Sequence, residues 1–394
     1  MQLNNNFSSG NKSNRARKIL VMFGSIGLGH KIVAENIAAV LKTYPDVEVE
    51  MLDVLEMYRG PFTETSSKIY KFIVDHAPWV WGFFYTNPIF LRLSLPFRVP
   101  LAGLKIKKFR DYFKRSKLDL ILTTHPSATA LVSYLKKTGE YRGPLVTTFS
   151  DFHFQPYWVY PRVDKYLVMT PEQVDEVVSR GFAKLQVVLT GLPVHPVFKE
   201  EFNDAVVRRE FKLHPSRAIV LMMGGSRGWG IRSADIEILL GSSYDIELVV
   251  VAGFNTELLE SLQRMQKTTG GSFKVFGNLE TSAIAKLYAV AKLLVTKPGG
   301  LSLAQGLLRG LPMVLVNPLP AMEELNTRYL TRFGAATVAR STHELKSWVE
   351  RILQDRKFCQ ELKTGALKLS RPEAAATAAA AVIDTLGKSV NMQI

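Results

Sequence analysis

Two stretches of this chain share one order: a short apolar run, a cluster of glycines, then apolar residues at helical spacing. In the first, KILVMF at residues 18–23 leads into Gly24-Ser25-Ile26-Gly27-Leu28-Gly29-His30 and then Ile32, Ala34, Ile37, Ala38 and Leu41. In the second, AIVLMM at residues 218–223 leads into Gly224-Gly225-Ser226-Arg227-Gly228. Such an order reads as strand, tight turn and helix. Further strand-like runs follow the first at residues 47–52, 118–123, 145–149 and 165–169, and the second at 246–252, 273–276, 293–296 and 313–316. Helical patterns such as residues 128–137 separate several of them. Strands alternating with helices predict an α/β fold of parallel sheets covered on both faces.

A chain of 394 residues suits two such units. Gly191-Leu192-Pro193-Val194-His195-Pro196, stiffened by its two prolines, marks the join. Residues 1–16 are expected to form a polar tail, residues 17–195 a first domain and residues 196–394 a second. An alanine-rich final helix, residues 372–386, is placed to pack back on the first domain. Two doubly wound domains put ligands at the carboxyl ends of their strands, so the expected active site is the cleft between them.

Apolar residues make up 47% of the chain and charged ones 22%, which excludes disorder. The formal net charge is +15, and residues 92–117 hold nine basic side chains against Asp111 alone. That cluster, with Lys105, Lys107 and Lys108 in it, attracts an anionic partner, either a lipid surface or a nucleic acid. No helix-turn-helix, RNA-recognition or zinc pattern accompanies it, so no nucleic-acid partner is expected. Just before it, residues 78–104 carry Trp79, Trp81, Phe83, Phe84, Tyr85, Phe90 and Phe97, cut by four prolines and by Arg92 and Arg98. Such a segment suits lying on a membrane better than crossing it. The alternative is aromatics in the core and lysines on a solvated helix face. Cys359 is the single cysteine and makes no internal disulfide, and residues 1–16 lack the apolar stretch of a signal peptide. The expected location is cytoplasmic.

Four strand ends carry candidate chemistry. The first turn departs from GxGxxG, which excludes a dinucleotide fingerprint. His30 at its helix start either projects an imidazole into the crevice to relay a proton or is a surface histidine. Asp151, in Phe149-Ser150-Asp151-Phe152-His153, is either a base at a strand's carboxyl end or a helix cap, and His125-Pro126 ends another strand. Gly224 to Gly230 is a glycine-rich turn. The most specific is Thr296-Lys297-Pro298-Gly299-Gly300-Leu301-Ser302, where a strand enters a Gly-Gly turn and then a helix. Backbone N–H groups and the helix dipole converge there, which suits a diphosphate. Without GxxxxGK[ST], ATP hydrolysis is not expected. Downstream, Glu323, Glu324 and Asn326 in PLPAMEELN either bond sugar hydroxyls or cap a helix.

These segments in this order resemble the monogalactosyldiacylglycerol synthases and processive diacylglycerol glucosyltransferases, with the peptidoglycan N-acetylglucosaminyltransferase more distant. The resemblance runs over residues 18–335. It comprises GLGH at residues 27–30, His125-Pro126, the SDF segment with Trp158 and Asp164, Gly191-Leu192-Pro193-Val194, the turn at Gly224, Gly253-Phe254-Asn255, TKPGGLS and PLPAMEELN. It implies the GT-B fold, two Rossmann-like domains facing a central cleft, and inverting transfer of galactose or glucose from a UDP-sugar to a lipid hydroxyl such as that of diacylglycerol. It implies Asp151 as base, with His30 beside the acceptor hydroxyl and Gly29, His125 and Trp158 on the acceptor side. Gly225, Ser226, Asn255, Thr296, Lys297, Gly299, Gly300, Leu301, Gln305, Glu323, Glu324 and Asn326 are the implied UDP-sugar ligands. No metal or cofactor is implied, and Trp79, Trp81, Phe83, Phe84, Lys105, Lys107 and Lys108 fall in the region that rests on an anionic membrane at its cytoplasmic face. Three positions depart from the pattern: Gln305 stands for a glutamate, Ala321-Met322 for Gly-Gln, and Gln155 for a histidine. They leave two alternatives, N-acetylglucosaminyl transfer to a lipid-linked acceptor and a catalytically impaired protein that binds nucleotide sugar or lipid.

Overall fold

The computed structural model describes residues 15–25, 28–57, 107–270 and 273–391, with scattered positions between 72 and 89. Among these residues the strands form two sheets of six, every pairing parallel. The first holds β1 (Arg17–Phe23), β2 (Val47–Asp53), β3 (Leu120–Thr123), β4 (Leu145–Thr148), β5 (Lys165–Val168) and β6 (Val187–Leu189), in the order β2-β1-β3-β4-β5-β6. The second holds β7 (Ala218–Met223), β8 (Ile246–Val251), β9 (Phe273–Phe276), β10 (Leu293–Thr296), β11 (Met313–Val316) and β12 (Thr337–Ala339), in the order β12-β11-β10-β7-β8-β9.

The apolar runs form strands because helices cover both faces. In β7, Ile219, Leu221 and Met223 join one hydrophobic cluster while Val220 and Met222 join another, as the two-residue period of a strand requires. The first cluster runs from the N-terminal sheet into one face of the second, through Leu294, Leu303 and Leu307. The two sheets therefore share a core. The final helix, Ala374–Asn391, packs on the helix Leu28–Leu41, and Lys165 Nζ lies 3.5 Å from Asp384 Oδ2. The last helix thus returns to the first sheet.

Each sheet has a switch point where neighbouring strands send their chains to opposite sides, between β1 and β3 and between β7 and β10. Register aligns the strand ends there: Met22 pairs with Thr123 and Met223 with Thr296. Gly24 and His125 become neighbours at the first, since a Cβ on Gly24 would lie 2.9 Å from the His125 ring. Gly225 and Lys297 become neighbours at the second, with a Cβ on Gly225 falling 3.1 Å from Lys297 Cε.

The second switch point meets the loop after β4 across the interface. A Cβ on Gly300, the first residue of the helix Gly300–Leu308, would come 2.3 Å from the Ser150 carbonyl oxygen and 3.4 Å from Asp151 Oδ1. Only glycine permits that approach. Gly300→Ala is expected to force the β4 loop away from the helix and destabilise the fold by about 1–3 kcal/mol, as overpacking does. Thermal unfolding checks the loss.

Candidate active site

The residues expected on the acceptor side collect at the end of β1 and β3. His30 Nδ1 lies 2.6 Å from the Thr124 carbonyl oxygen. A carbonyl only accepts, so Nδ1 carries the proton and Nε2 presents a lone pair. Thr124 Oγ1 donates to the His30 carbonyl oxygen at 2.9 Å, locking strand end to helix start. His125 is the N-cap of the helix Pro126–Thr138, its Nδ1 accepting from the Ser127 amide. That occupies the opposite nitrogen as acceptor, so Nε2 holds the His125 proton. The His30 and His125 rings meet edge to face at 4.8 Å, Trp158 stands 5.9 Å from His30, and Phe149 stacks on Trp158 at 5.4 Å.

Burial pushes the His30 imidazole below its ordinary pKa, against the opposing pull of the Asp151 carboxylate and the Thr124 carbonyl. Burial, reinforced by His30, pushes His125 much further down. Both rings are held neutral. Gly29 is exposed, and a Cβ there would meet nothing within 4 Å, so this side is open to a ligand.

Asp151 lies just past β4. Ser150 Oγ donates to its Oδ2 at 3.3 Å, and Asn326 Nδ2 donates to its Oδ1 at 3.1 Å. Its loop is pinned from below by Gln173, fully buried, whose Nε2 donates to the Asp151 and His153 carbonyls at 2.8 and 2.7 Å. Gln173 was missed as a contributor to the site, although its signal was present: Thr170-Pro171-Glu172-Gln173 is a capping box at a helix start. The same side chain closes the box and holds the loop.

On the opposite wall Thr296, fully buried, donates to the Met223 carbonyl at 3.0 Å. Gly225, at φ +67°, and Gly230, at φ +91°, let the turn wrap Lys297, whose Nζ sits 5.8 Å from the Trp229 ring. Ser226 belongs to this turn, its carbonyl accepting from the Phe254 amide at 2.8 Å. Asn255 caps the helix Thr256–Thr268 through the Leu258 amide and donates to the Arg227 carbonyl at 3.2 Å. Gly299 precedes the helix Gly300–Leu308, whose first-turn amides at Gly300 and Leu301 face outward by helix geometry. Gln305 is buried on that helix.

The acidic segment makes hydrogen bonds within the protein. Glu323 is 4% exposed; its Oε1 pairs with Lys297 Nζ and its Oε2 accepts from the Leu319 amide at 2.9 Å. Glu324 accepts from the Ala321 amide at 3.3 Å, holding its own turn. Asn326 is fully buried and every hydrogen-bonding position of its amide is used. Oδ1 accepts from the Phe152 amide at 3.0 Å and from His153 Nδ1 at 3.1 Å, while Nδ2 donates to Asp151 Oδ1 and to the Pro298 carbonyl at 3.0 Å. Asn326 is a bridge between the Asp151 loop and the Gly299-Gly300 turn. Ala321, just before the helix Met322–Arg332, sits at φ +69°, a strained conformation that the glycine expected there would adopt freely.

Phe72, Trp79, Phe83 and Ile89 are exposed, with Trp79 at 72%. Trp81, Phe84 and Lys105 lie outside the described residues, as do the side chains of Lys107 and Lys108. The helix Lys107–Arg115 buries Phe109 and Phe113, and Arg110 pairs with Glu140. Part of the basic region thus follows the core-and-solvated-face alternative. Among the described residues no helix is long and apolar enough to cross a membrane, and no group of three or more His, Cys, Asp or Glu could hold a metal ion.

Comparison with known proteins agrees with this architecture. The family model of monogalactosyldiacylglycerol (MGDG) synthase matches residues 30–194. A processive diacylglycerol beta-glucosyltransferase of Bacillus cereus is 26% identical over 371 residues, spanning 94% of this chain and 93% of the relative. Among solved structures, MurG of Acinetobacter baumannii matches with a TM-score of 0.59 at 17% identity, over 93% of this chain and 99% of its own. The UDP-GlcNAc 2-epimerase of Neisseria meningitidis, bound to UDP-GlcNAc, also scores 0.59 at 12% identity, over 94% and 100%. An epimerase and MurG share this fold, so the fold by itself does not choose the reaction. The sequence comparisons narrow it: the chain has the GT-B fold and is similar in sequence to the monogalactosyldiacylglycerol synthases and processive diacylglycerol glucosyltransferases.

Proposed function

We propose that this enzyme transfers a hexose, galactose or glucose, from a UDP-sugar to the hydroxyl of diacylglycerol with inversion at the anomeric carbon. The observation that carries the reading is the meeting of Asp151 with the N-terminus of the helix Gly300–Leu308 across the cleft. A carboxylate and an anion site thus open on one cleft, the two groups that displacement of a diphosphate by a hydroxyl calls for. The names of the relatives supply the lipid and the sugar, and a neighbour bound to UDP-GlcNAc supports the nucleotide.

In this reading the acceptor hydroxyl enters beside the neutral His30 ring and donates its one hydrogen bond to the Asp151 carboxylate. Asp151 takes the hydroxyl proton as the oxygen bonds to the anomeric carbon, and the bond from that carbon to the diphosphate oxygen breaks. UDP leaves with the bonding pair, its growing charge met by the amides of the Gly300 helix start and by Lys297. These groups supply the positive charge, so the reading calls for no metal or cofactor.

Replacing Asp151 by alanine removes the base and is expected to lower transfer at least about 100-fold, as loss of general base catalysis does. His30→Ala is expected to abolish transfer likewise, and both variants should keep the thermal shift that UDP gives the native chain, because a ligand bound to the folded state alone stabilises it. Near-normal transfer by either variant would refute its role. Incubation with UDP-glucose, UDP-galactose or UDP-N-acetylglucosamine and diacylglycerol vesicles, with product identification, tests the substrate.

The depressed pKa of His30 gives a pH dependence with a definite sign. Protonation would turn its acceptor nitrogen into a donor, and burial delays that event to pH values below the ordinary 6.5 of histidine. Transfer attributable to His30 should therefore persist as pH falls through 6.5 and drop only at lower pH. A rate profile checks this; a loss centred at or above 6.5 would contradict it.

The exposed Phe72, Trp79, Phe83 and Ile89, followed in sequence by the basic residues 92–117, support peripheral binding to an anionic leaflet. Sedimentation with liposomes should show binding that strengthens with anionic lipid. Equal and negligible binding with and without it would sink the membrane reading.

A further inference from the structure

The geometry points to Asn326 as a positioning residue that makes the Asp151 carboxylate competent only when the two domains are closed. This rests on the reading of Asp151 as the base. Asn326 belongs to the second domain and sits on the helix Met322–Arg332, while three of its four hydrogen-bond partners, Asp151, Phe152 and His153, belong to the first. The fourth, the Pro298 carbonyl, belongs to the turn that leads into the Gly300 helix. One amide therefore touches the carboxylate and the turn at the anion site.

The directions of these bonds are fixed. The Phe152 amide can only donate and the Pro298 carbonyl only accept, so Oδ1 must face the first and Nδ2 the second. That leaves the remaining N–H of Nδ2 aimed at Asp151 Oδ1, and it requires His153 to donate from Nδ1. The Asp151 Oδ1 lone pair facing Asn326 is occupied, which fixes the carboxylate rotamer. Separation of the domains would remove all three first-domain bonds together and free the carboxylate to rotate.

The same helix carries the rest of the closure contact at three-residue spacing. Tyr329 stacks on Phe152 at 5.8 Å, and Arg332 pairs with Glu172. These two contacts fall on Phe152 and Glu172, whereas Asn326 bonds the Asp151 carboxylate itself and so joins closure to it. A consequence is that an open enzyme holding its donor has a disordered base, which protects the donor from hydrolysis before an acceptor arrives.

Asn326→Ala and Asn326→Asp test the assignment together. In Asn326→Ala, kcat is expected to fall at least about 30-fold with KM for the UDP-sugar within about threefold, the pattern of an interaction used in the transition state more than in donor binding. Asn326→Asp keeps the shape and the acceptor for Phe152 but sets a second carboxylate against Asp151, and such a pair holds one proton between them. The rate of Asn326→Asp relative to the native enzyme should rise as pH is lowered from 8 to 5.5, because the protonated aspartic acid again donates to Asp151. Spin labels placed one on each domain should show Asn326→Asp separating at pH 8 and closing at pH 5.5, with the native distance unchanged. A purely structural residue would lower the rate by the same factor at every pH and leave the label distances independent of pH; that result overturns the proposal. Unchanged kcat in both variants overturns it as well. If the native enzyme transfers no sugar at all, the transfer reading fails instead, and the label distances still decide whether Asn326 senses the charge of its partner.

Discussion

One fully buried amide holds the centre of this molecule. Asn326 satisfies all four of its hydrogen-bonding positions, three of them across the domain interface, and no water or ligand is needed to complete the set. A buried polar group of this kind is costly when half-satisfied and rigid when complete, since each partner left alone would carry a desolvation penalty of about 1–3 kcal/mol. The β4 loop, the turn at Pro298 and the helix that carries Asn326 are thereby tied to one geometry. The close approach of Gly300 to Ser150 depends on that geometry, and so does the position of Asp151 beside the helix start.

The sheets prepare this meeting. In each, the register at the switch point delivers a glycine turn and a polar strand end to the same place: Gly24 with His125 in the first, Gly225 with Lys297 in the second. The chemistry assigned to the two walls follows from their surroundings. Burial keeps His30 and His125 neutral on one wall, which suits an uncharged lipid hydroxyl. A helix N-terminus makes the other wall an anion site, which suits a diphosphate. The Lys297 pair with Glu323 keeps that cation from standing uncompensated in a part-buried site.

Much of this was legible in the sequence, for identifiable reasons. Ten of the strands were readable, most as apolar runs because both faces of a parallel sheet are buried, and the edge strand β2 by its alternation; β6 and β12, three residues each at sheet edges, gave too short a pattern to register. The Gly299-Gly300 turn was readable because a strand, two glycines and a helical period leave few alternatives. The roles of Glu323, Glu324 and Asn326 were not. Their residue types suit sugar ligands and internal braces equally, and for Glu323 and Asn326 only the approach of segments far apart in sequence shows the bonds that they make. Gln173 illustrates the same limit: its capping box is local and visible, while its grip on the Asp151 loop is tertiary. The strain at Ala321 was hidden as well, since a positive φ at an alanine cannot be read from its neighbours.

The central claim is that Asp151 directs an acceptor hydroxyl at the face of the sugar opposite the departing diphosphate. The most direct measurement is the anomeric configuration of the glycolipid formed from an α-linked UDP-hexose and diacylglycerol, read by proton NMR together with the UDP released. The account predicts a β-linked product and one UDP for each sugar transferred. An α-linked product, or UDP release with free hexose in place of glycolipid, would contradict it.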